Sequence, residues 1–175
     1  MSADAKEAAF QQDILNELVA GGWQVGSPAG YDRGRALYPA DCLAYVQRTQ
    51  PQSWAKYTKL YPSDPATAFL DRLTAQLAKV DPQAKDSELR TFGTLGVLRH
   101  ELRDKSVTFK LCQFKPDHDL NPQTLALYEG NLLRVVPELV YSPHAAPSAL
   151  AATGAAAKKW RIDLVLFLNG IPVAT

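Results

Sequence analysis

Asp163 is a carboxylate in a place where a charged side chain is unusual. It interrupts the strongly apolar run from Ile162 to Leu168, and in a strand it shares a face with Val165 and Phe167. A bare carboxylate on an apolar face costs several kcal/mol, so we expect it to be hydrogen-bonded, paired or bound to a cation. An ion pair with a cation at the start of the strand is the structural explanation: Lys158, Lys159 or Arg161. A metal-binding or catalytic role is the functional explanation, and the residues alone leave both open.

Glu7 is a second carboxylate near an apolar surface. It lies three residues before Phe10 and seven before Ile14, close to the apolar stripe of a predicted helix. A glutamate in the first turn also favours the helix dipole and can stay solvated at the edge of the stripe. Without further information this ordinary explanation is the better supported one.

Several common catalytic patterns are missing from the sequence. The histidines His100, His118 and His144 have no HxxxH or HxH spacing, and no serine or cysteine lies in a GxSxG elbow. There is no GxxxxGK[ST] and no GxGxxG motif. We therefore expect neither a hydrolase triad nor a nucleotide-binding loop of a recognisable kind in these residues.

The composition is that of a globular domain. The chain has 175 residues, 19 basic and 18 acidic side chains, a net charge of +1 and 46% hydrophobic residues. This balance argues against a large basic surface, so any contact with DNA would be a local patch. No apolar run approaches the ~20 residues of a membrane span. Cys42 and Cys112 lack CxxC spacing, which favours buried thiols in a reducing, cytoplasmic protein.

The hydrophobic pattern predicts helices first and strands later. Asp4 is a plausible N-cap of a first helix, which Gly21-Gly22 ends, and further helices are expected over Pro39 to Tyr61 and Ser63 to Val80. The strands are expected after Thr91: Leu95 to Arg99, Ser106 to Phe114, Asn131 to Ser142 and Arg161 to Leu168. The alanine-rich segment Ser142 to Ala157 is interpreted as a loop. Together these elements predict an α/β (α+β) fold with a mixed central β-sheet flanked by helices.

Asn169-Gly170 between two apolar runs predicts a β-hairpin. In a two-residue turn Leu168 meets Ile171, and the partner of Asp163 falls about one residue past Thr175. We therefore expect that the chain is truncated within the hairpin.

The whole chain resembles the N-terminal endonuclease domain of the restriction (R) subunit of type I restriction enzymes. The matching segments are Glu7 with Phe10, Gly21-Gly22-Trp23, Tyr45 to Gln50 with Trp54, Gly96 to Arg99, Phe109 to Phe114, Asn121-Pro122, Tyr128 to Asn131, Tyr141-Ser142 and, most specifically, Asp163 to Pro172. The resemblance implies a PD-(D/E)xK nuclease core over residues 1–175.

In this family a strand with Glu-x-Lys follows the hairpin, and the resemblance places its glutamate about two residues beyond Thr175. The resemblance also implies that Asp163 binds Mg²⁺ and that Glu7 borders the same catalytic site. The missing glutamate and lysine would complete the metal site and orient the attacking water. Three cations are weak candidates for DNA contacts: Lys158, Lys159 and Arg134.

The resemblance further implies a larger protein. ATP-dependent, helicase-like motor domains would follow, and modification and specificity subunits would be the partners in cleaving unmodified double-stranded DNA in the cytoplasm. One departure is Pro137-Glu138, where the family usually has Arg-Gln in a strand, and which predicts an edge strand or a bulge. This departure supports an alternative, a catalytically inactive DNA-holding or subunit-docking module. A weaker third possibility is a stand-alone nuclease without a motor.

Overall fold

A computed structural model describes residues 3–79, 92–141 and 161–175. The helices in these ranges are α1 (Ala3–Ala20), α2 (Pro39–Thr49), α3 (Pro51–Leu60), α4 (Pro65–Ala78), α5 (Gly93–Arg99) and α6 (Pro122–Glu129). The strands are β1 (Gln24–Val25), β2 (Leu102–Asp104), β3 (Val107–Phe109), β4 (Leu133–Val140), β5 (Arg161–Leu168) and β6 (Ile171–Ala174). Helices therefore dominate the first half, and the α+β class expected from the sequence is confirmed.

Glycine ends α1 as the sequence predicts. Gly22 has φ +92°, its N–H bonds the carbonyl of Val19 at 3.0 Å, and the N–H of Trp23 bonds Leu18 at 3.0 Å. This pair of bonds is a Schellman motif, which satisfies carbonyls at the helix end. The expected N-cap at Asp4 is wrong, because the helix begins at Ala3 and includes Asp4.

Proline starts four of the described helices: Pro39, Pro51, Pro65 and Pro122. Its missing N–H is tolerated in the first turn, where no intrahelical acceptor exists. The predicted helical stretch from Pro39 to Tyr61 is accordingly split into α2 and α3 at Gln50, immediately before Pro51.

The main sheet is mixed, as expected. Its strand order is β1-β4-β5-β6, with β1 parallel to β4 and the other neighbours antiparallel. The strand Arg161–Leu168 has the predicted bounds. The hairpin is also confirmed, because Leu168 pairs with Ile171 around Asn169 at φ 50° and Gly170 at φ 80°. A bulge then shifts the register by one residue, so that Leu166 pairs with Ala174.

The secondary structure between residues 92 and 130 differs from that predicted from the sequence. Leu95 to Arg99, expected as a strand, lies in the helix Gly93–Arg99. Its buried apolar run, Gly96 to Leu98, is too short to show a period that distinguishes a helix from a strand. Strand structure within Ser106 to Phe114 is limited to Val107–Phe109, which forms a separate two-stranded sheet with β2. The sequence also did not predict α6. The loop expected over Ser142 to Ala157 lies outside the described residues.

The core lies between the helices and the small sheet. Trp54, Tyr57, Phe69 and Phe109 pack as one aromatic cluster with ring centroids 5.2–6.3 Å apart. Both cysteines are buried, as predicted, and neither forms a disulfide. Burial raises the pKa of the Cys112 thiol to about 11 and that of Cys42 further.

Asn169 connects the hairpin to the rest of the fold. Its side-chain oxygen accepts from the Leu132 N–H at 2.7 Å, and its amide donates to the Leu111 carbonyl at 2.8 Å and to Asn131 Oδ1 at 2.9 Å. Gly170 follows with its carbonyl bonded to the N–H of Tyr38 at 2.8 Å. The turn that follows β5 is therefore fixed by buried polar contacts.

None of the helices in the described ranges is long and apolar enough to cross a membrane.

Candidate functional site

Glu7 and Asp163 line one cleft between the first helix and the sheet. The cleft has a volume of about 310 Å³. Its lining residues are Glu7, Phe10, Gln11, Ile14, Ile162, Asp163, Leu164 and Thr175. The two carboxylates singled out from the sequence therefore belong to the same surface feature.

Gln11 fixes the helix to the strand at this point. Its Nε2 donates a hydrogen bond of 3.0 Å to the backbone carbonyl of Asp163, across 152 positions of sequence. Glu7 lies four residues, about one helical turn, before Gln11 and so projects from the same side of α1. The contact explains why Glu7 reaches the cleft beside Asp163.

The carbonyl of Asp163 is available because the β4–β5 ladder is interrupted there. The register pairs Pro137 with Leu164 and Leu139 with Ile162, which places Glu138 opposite Asp163 without pairing them. Glu138 has φ +51°, a left-handed conformation that turns its backbone away from the ladder. Gln11 supplies the hydrogen bond to Asp163 that the neighbouring strand would otherwise have donated.

Pro137 is tolerated in the sheet for a related reason. Val135 accepts a hydrogen bond of 2.8 Å from the N–H of Gly26, so this residue of β4 faces β1. By alternation Pro137 also faces that side, beyond the end of β1 at Val25. At its start β4 therefore lies between β1 and β5. From Pro137 onward, among the described residues, only β5 pairs with it. The expected irregularity at Pro137-Glu138 is thus present as a backbone distortion of Glu138.

The side chain of Asp163 is exposed, so the apolar residues of its strand do not enclose it. Val165 and Phe167 on the same face are covered by Tyr31 and Tyr38, but this cover does not extend to Asp163. Within the described ranges no ion pair is formed with Asp163; Arg161 instead lies 3.6 Å from Glu138. Lys158 and Lys159 lie outside these ranges. The described residues therefore leave the ion pair with Lys158 or Lys159 untested.

The donor set of the cleft suits a hydrated magnesium ion. Mg²⁺ prefers oxygen ligands, retains several waters and is commonly bound through one or two carboxylates. Glu7 and Asp163 are exposed residues that line the cleft, and both carry oxygens of this kind. Across the residues that the structure describes, no group of three or more His, Cys, Asp or Glu side chains could hold a metal ion. The two carboxylates of the cleft are thus of the ligand type that Mg²⁺ takes, and a third ligand of this kind is not grouped with them among the described residues.

Arg134, a weak candidate for DNA contact, is engaged inside the protein. Its Nε and a terminal nitrogen donate to both oxygens of Asp41 at 2.6 and 2.8 Å, and its guanidinium lies 4.6 Å from the ring centre of Tyr38. Hydrogen bonding to Asp41 raises the pKa of Arg134. This arginine stabilises the packing of α2 on β4 and is not an exposed cation.

Gln11 and Glu138 are the residues of the site that the sequence analysis missed. Gln11 could have been found, because it lies one turn after Glu7 on the same helix face. Pro137-Glu138 indicated an irregularity in the strand, but the position of Glu138 opposite Asp163 depends on the pairing of β4 with β5, which no local signal in the sequence indicates. Comparisons of the chain with protein-family models, with curated proteins and with solved structures found no match.

Proposed function

We propose that the chain is an endonuclease domain that hydrolyses phosphodiester bonds of double-stranded DNA with Mg²⁺, as the resemblance to type I restriction subunits implies. The observation that carries this proposal is the shared cleft of Glu7 and Asp163. These carboxylates come from opposite ends of the sequence, and the bond from Gln11 to Asp163 holds their elements together. A metal site held by two carboxylates requires them to lie close together, and the contact between their two elements supports this.

Five residues of the cleft have a role in this proposal. Asp163 and Glu7 would hold the ion, and their exposure leaves room for water and a phosphate oxygen. Bound Mg²⁺ supplies a Lewis acid that polarises the phosphate and lowers the pKa of the attacking water. Gln11 positions α1 through the backbone of Asp163, while Phe10 and Ile14 form the apolar wall of the cleft.

The hairpin register supports the expected contribution of Glu-x-Lys. Counting from the pair Leu166–Ala174, three residues back along β5 is Asp163, and three residues onward is the second position after Thr175. A residue there, in a strand that continued the register, would lie opposite Asp163. This is the position at which the resemblance places the second metal-binding glutamate.

The proposal extends to the larger protein that the resemblance implies. There the domain would cut unmodified foreign DNA in the cytoplasm after ATP-driven translocation by motor domains. Its partners would be the modification and specificity subunits. The carboxylate cleft would be the cutting site of that assembly.

The test compares plasmid nicking by residues 1–175 with nicking by a protein extended through the codons that follow Thr175 in the gene. We expect no Mg²⁺-dependent nicking by the 175-residue chain, because it has no Glu-x-Lys after Gly170. The extended protein should nick supercoiled plasmid with Mg²⁺ and not with EDTA. Robust nicking by the shorter chain would contradict the assigned role of Glu-x-Lys.

A second function is a nuclease-like module that holds DNA or docks subunits without cleaving. The distortion at Glu138 favours it, because it places an additional carboxylate opposite Asp163 where the family usually has Arg-Gln. A continuation without an acid and a lysine, or an extended protein that binds DNA and does not cut it, would make this module the better explanation.

A further inference from the structure

A second pocket lies beside the strand that carries Asp163. It has a volume of about 390 Å³. Its lining residues are Pro28, Ala29, Tyr31, Arg33, Glu138, Val140 and Arg161. Two guanidinium groups and a phenol therefore border one concave surface, with a single carboxylate among them.

The carboxylate is the weak member of this group. Glu138 approaches Arg161 at 3.6 Å, beyond good hydrogen-bond distance, and its side chain is 50% exposed. Exposed ion pairs of this kind contribute little to stability. Glu138 also has φ +51°, a conformation that disfavours a side chain of this size. An anion that binds arginine more strongly could therefore compete with Glu138 for Arg161.

We propose that this pocket binds a phosphate ester between Arg33 and Arg161, in the place that the Glu138 carboxylate occupies. Arginine is suited to this ligand because its planar fork of N–H donors matches two phosphate oxygens. Tyr31 adds a hydroxyl donor. The pocket volume accommodates a phosphodiester with part of its sugar.

The position of the pocket indicates the source of the phosphate. Arg161 lies two residues before Asp163 in β5, and Glu138 lies opposite Asp163 in β4. An anion held by Arg161 would therefore be close to the candidate metal ligand. The assignment of this phosphate to the backbone of double-stranded DNA rests on the proposed function, whereas a phosphate pocket as such does not. The same donors would accept a free phosphate or a mononucleotide.

The test is DNA binding by the 175-residue chain in EDTA, where cleavage plays no part. Fluorescence anisotropy with a labelled duplex, repeated at several salt concentrations, gives the affinity and its salt slope. Arg161→Gln and Arg33→Gln should each weaken binding several-fold and reduce the slope of log K against log[salt] by about 1. Lys59→Gln, which removes an exposed charge from α3, should leave both values nearly unchanged.

Glu138→Gln gives a result that misfolding cannot imitate. It removes the competing carboxylate, so we expect tighter DNA binding that is lost again in Glu138→Gln/Arg161→Gln. Unchanged affinity in Glu138→Gln together with unchanged affinity in both arginine variants would overturn the proposal.

Titration with inorganic phosphate and thymidine monophosphate, followed by NMR shifts, separates the ligand sources. Arginine-dependent binding of the duplex supports the DNA assignment. Arginine-dependent binding of the small phosphates without the duplex supports the pocket and overturns the DNA assignment. Failure of nuclease activity in the extended protein leaves these binding results unaltered, so the two proposals fail separately.

Discussion

The side-chain amide of Gln11 lies 3.0 Å from the backbone oxygen of Asp163, at the one position where Glu138 leaves the β4–β5 ladder incomplete among the residues described. The backbone carbonyl that β4 leaves unpaired thus binds a side chain of α1. Through this contact the distortion at Glu138 and the placement of Glu7 depend on each other. The candidate site is therefore built from backbone irregularity as much as from its carboxylates.

Asp163→Asn should abolish cleavage and leave the fold intact. The side chain is exposed, so we expect the free energy of unfolding to change by less than about 0.5 kcal/mol. In the extended protein, plasmid nicking should fall by about 10²-fold or more, because the amide is a poor ligand for Mg²⁺. Asp119→Asn, in an exposed loop, is the matched control. Equal nicking by both variants would contradict a role of Asp163 in cleavage.

Glu7→Gln tests the helical side of the cleft. If Glu7 binds the metal, a higher Mg²⁺ concentration should restore part of the nicking that the variant loses. Glu17→Gln, on the same helix and also exposed, should behave like the wild type. A cleavage rate unchanged at every Mg²⁺ concentration would assign Glu7 to the helix dipole alone.

Asn169→Ala should destabilise the fold strongly. It leaves the Leu132 N–H, the Leu111 carbonyl and Asn131 Oδ1 without their partner in a buried place. We expect a loss of about 2–4 kcal/mol in urea unfolding. Asn169→Gly keeps the positive φ accessible and separates the backbone contribution, while exposed Asn16→Ala should be nearly neutral. A loss below that of Asn16→Ala would contradict the role of this network.

Arg134→Met should cost about 3–5 kcal/mol, because it leaves the Asp41 carboxylate buried without its cation. Replacing both partners, as in Asp41→Leu/Arg134→Met, should recover most of this loss. Chemical denaturation of the two variants measures the difference. A double variant as unstable as the single one would show that the ion pair contributes more than charge compensation.

The buried thiols predict a loss of stability at alkaline pH. Because burial raises the pKa of Cys112 to about 11, the unfolded chain loses its thiol proton first, near pH 8.5. The contribution is complete below that pH and declines as pH rises toward 11, by up to about 1.4 kcal/mol per pH unit for each thiol. Urea midpoints at pH 7.5 and 9.5 should show this decline. The decline should be smaller in Cys112→Ala, and an identical decline would exclude the thiol as its cause.

Sequence reasoning succeeded where a local rule decides the structure. Gly22 at the end of α1, proline at helix starts and Asn169-Gly170 in the hairpin all depend on backbone conformations that these residue types favour. The bounds of β5 followed from a long apolar run that ends at Asn169-Gly170. Leu95 to Arg99 was wrongly assigned to a strand, because so short an apolar run does not distinguish a helix from a strand; these residues lie in the helix Gly93–Arg99.

The sequence singled out Glu7 and Asp163, which line one cleft, but did not indicate the surroundings of Asp163. Alternation correctly places Asp163 on the face of Val165 and Phe167, but it does not show where Tyr31 and Tyr38 cease to cover that face. The gap opposite Glu138 arises from tertiary packing around one residue with positive φ. Such features require the three-dimensional structure.

The network around Asn169 also affects how the protein ages. In a flexible Asn-Gly sequence the glycine nitrogen can attack the asparagine side chain, form a succinimide and release ammonia. In the folded protein the amide of Asn169 is held by Leu111 and Asn131, and its oxygen is held by Leu132. Deamidation at this turn should therefore proceed from unfolded molecules, so that the deamidated fraction of an old sample records how long its molecules have spent unfolded.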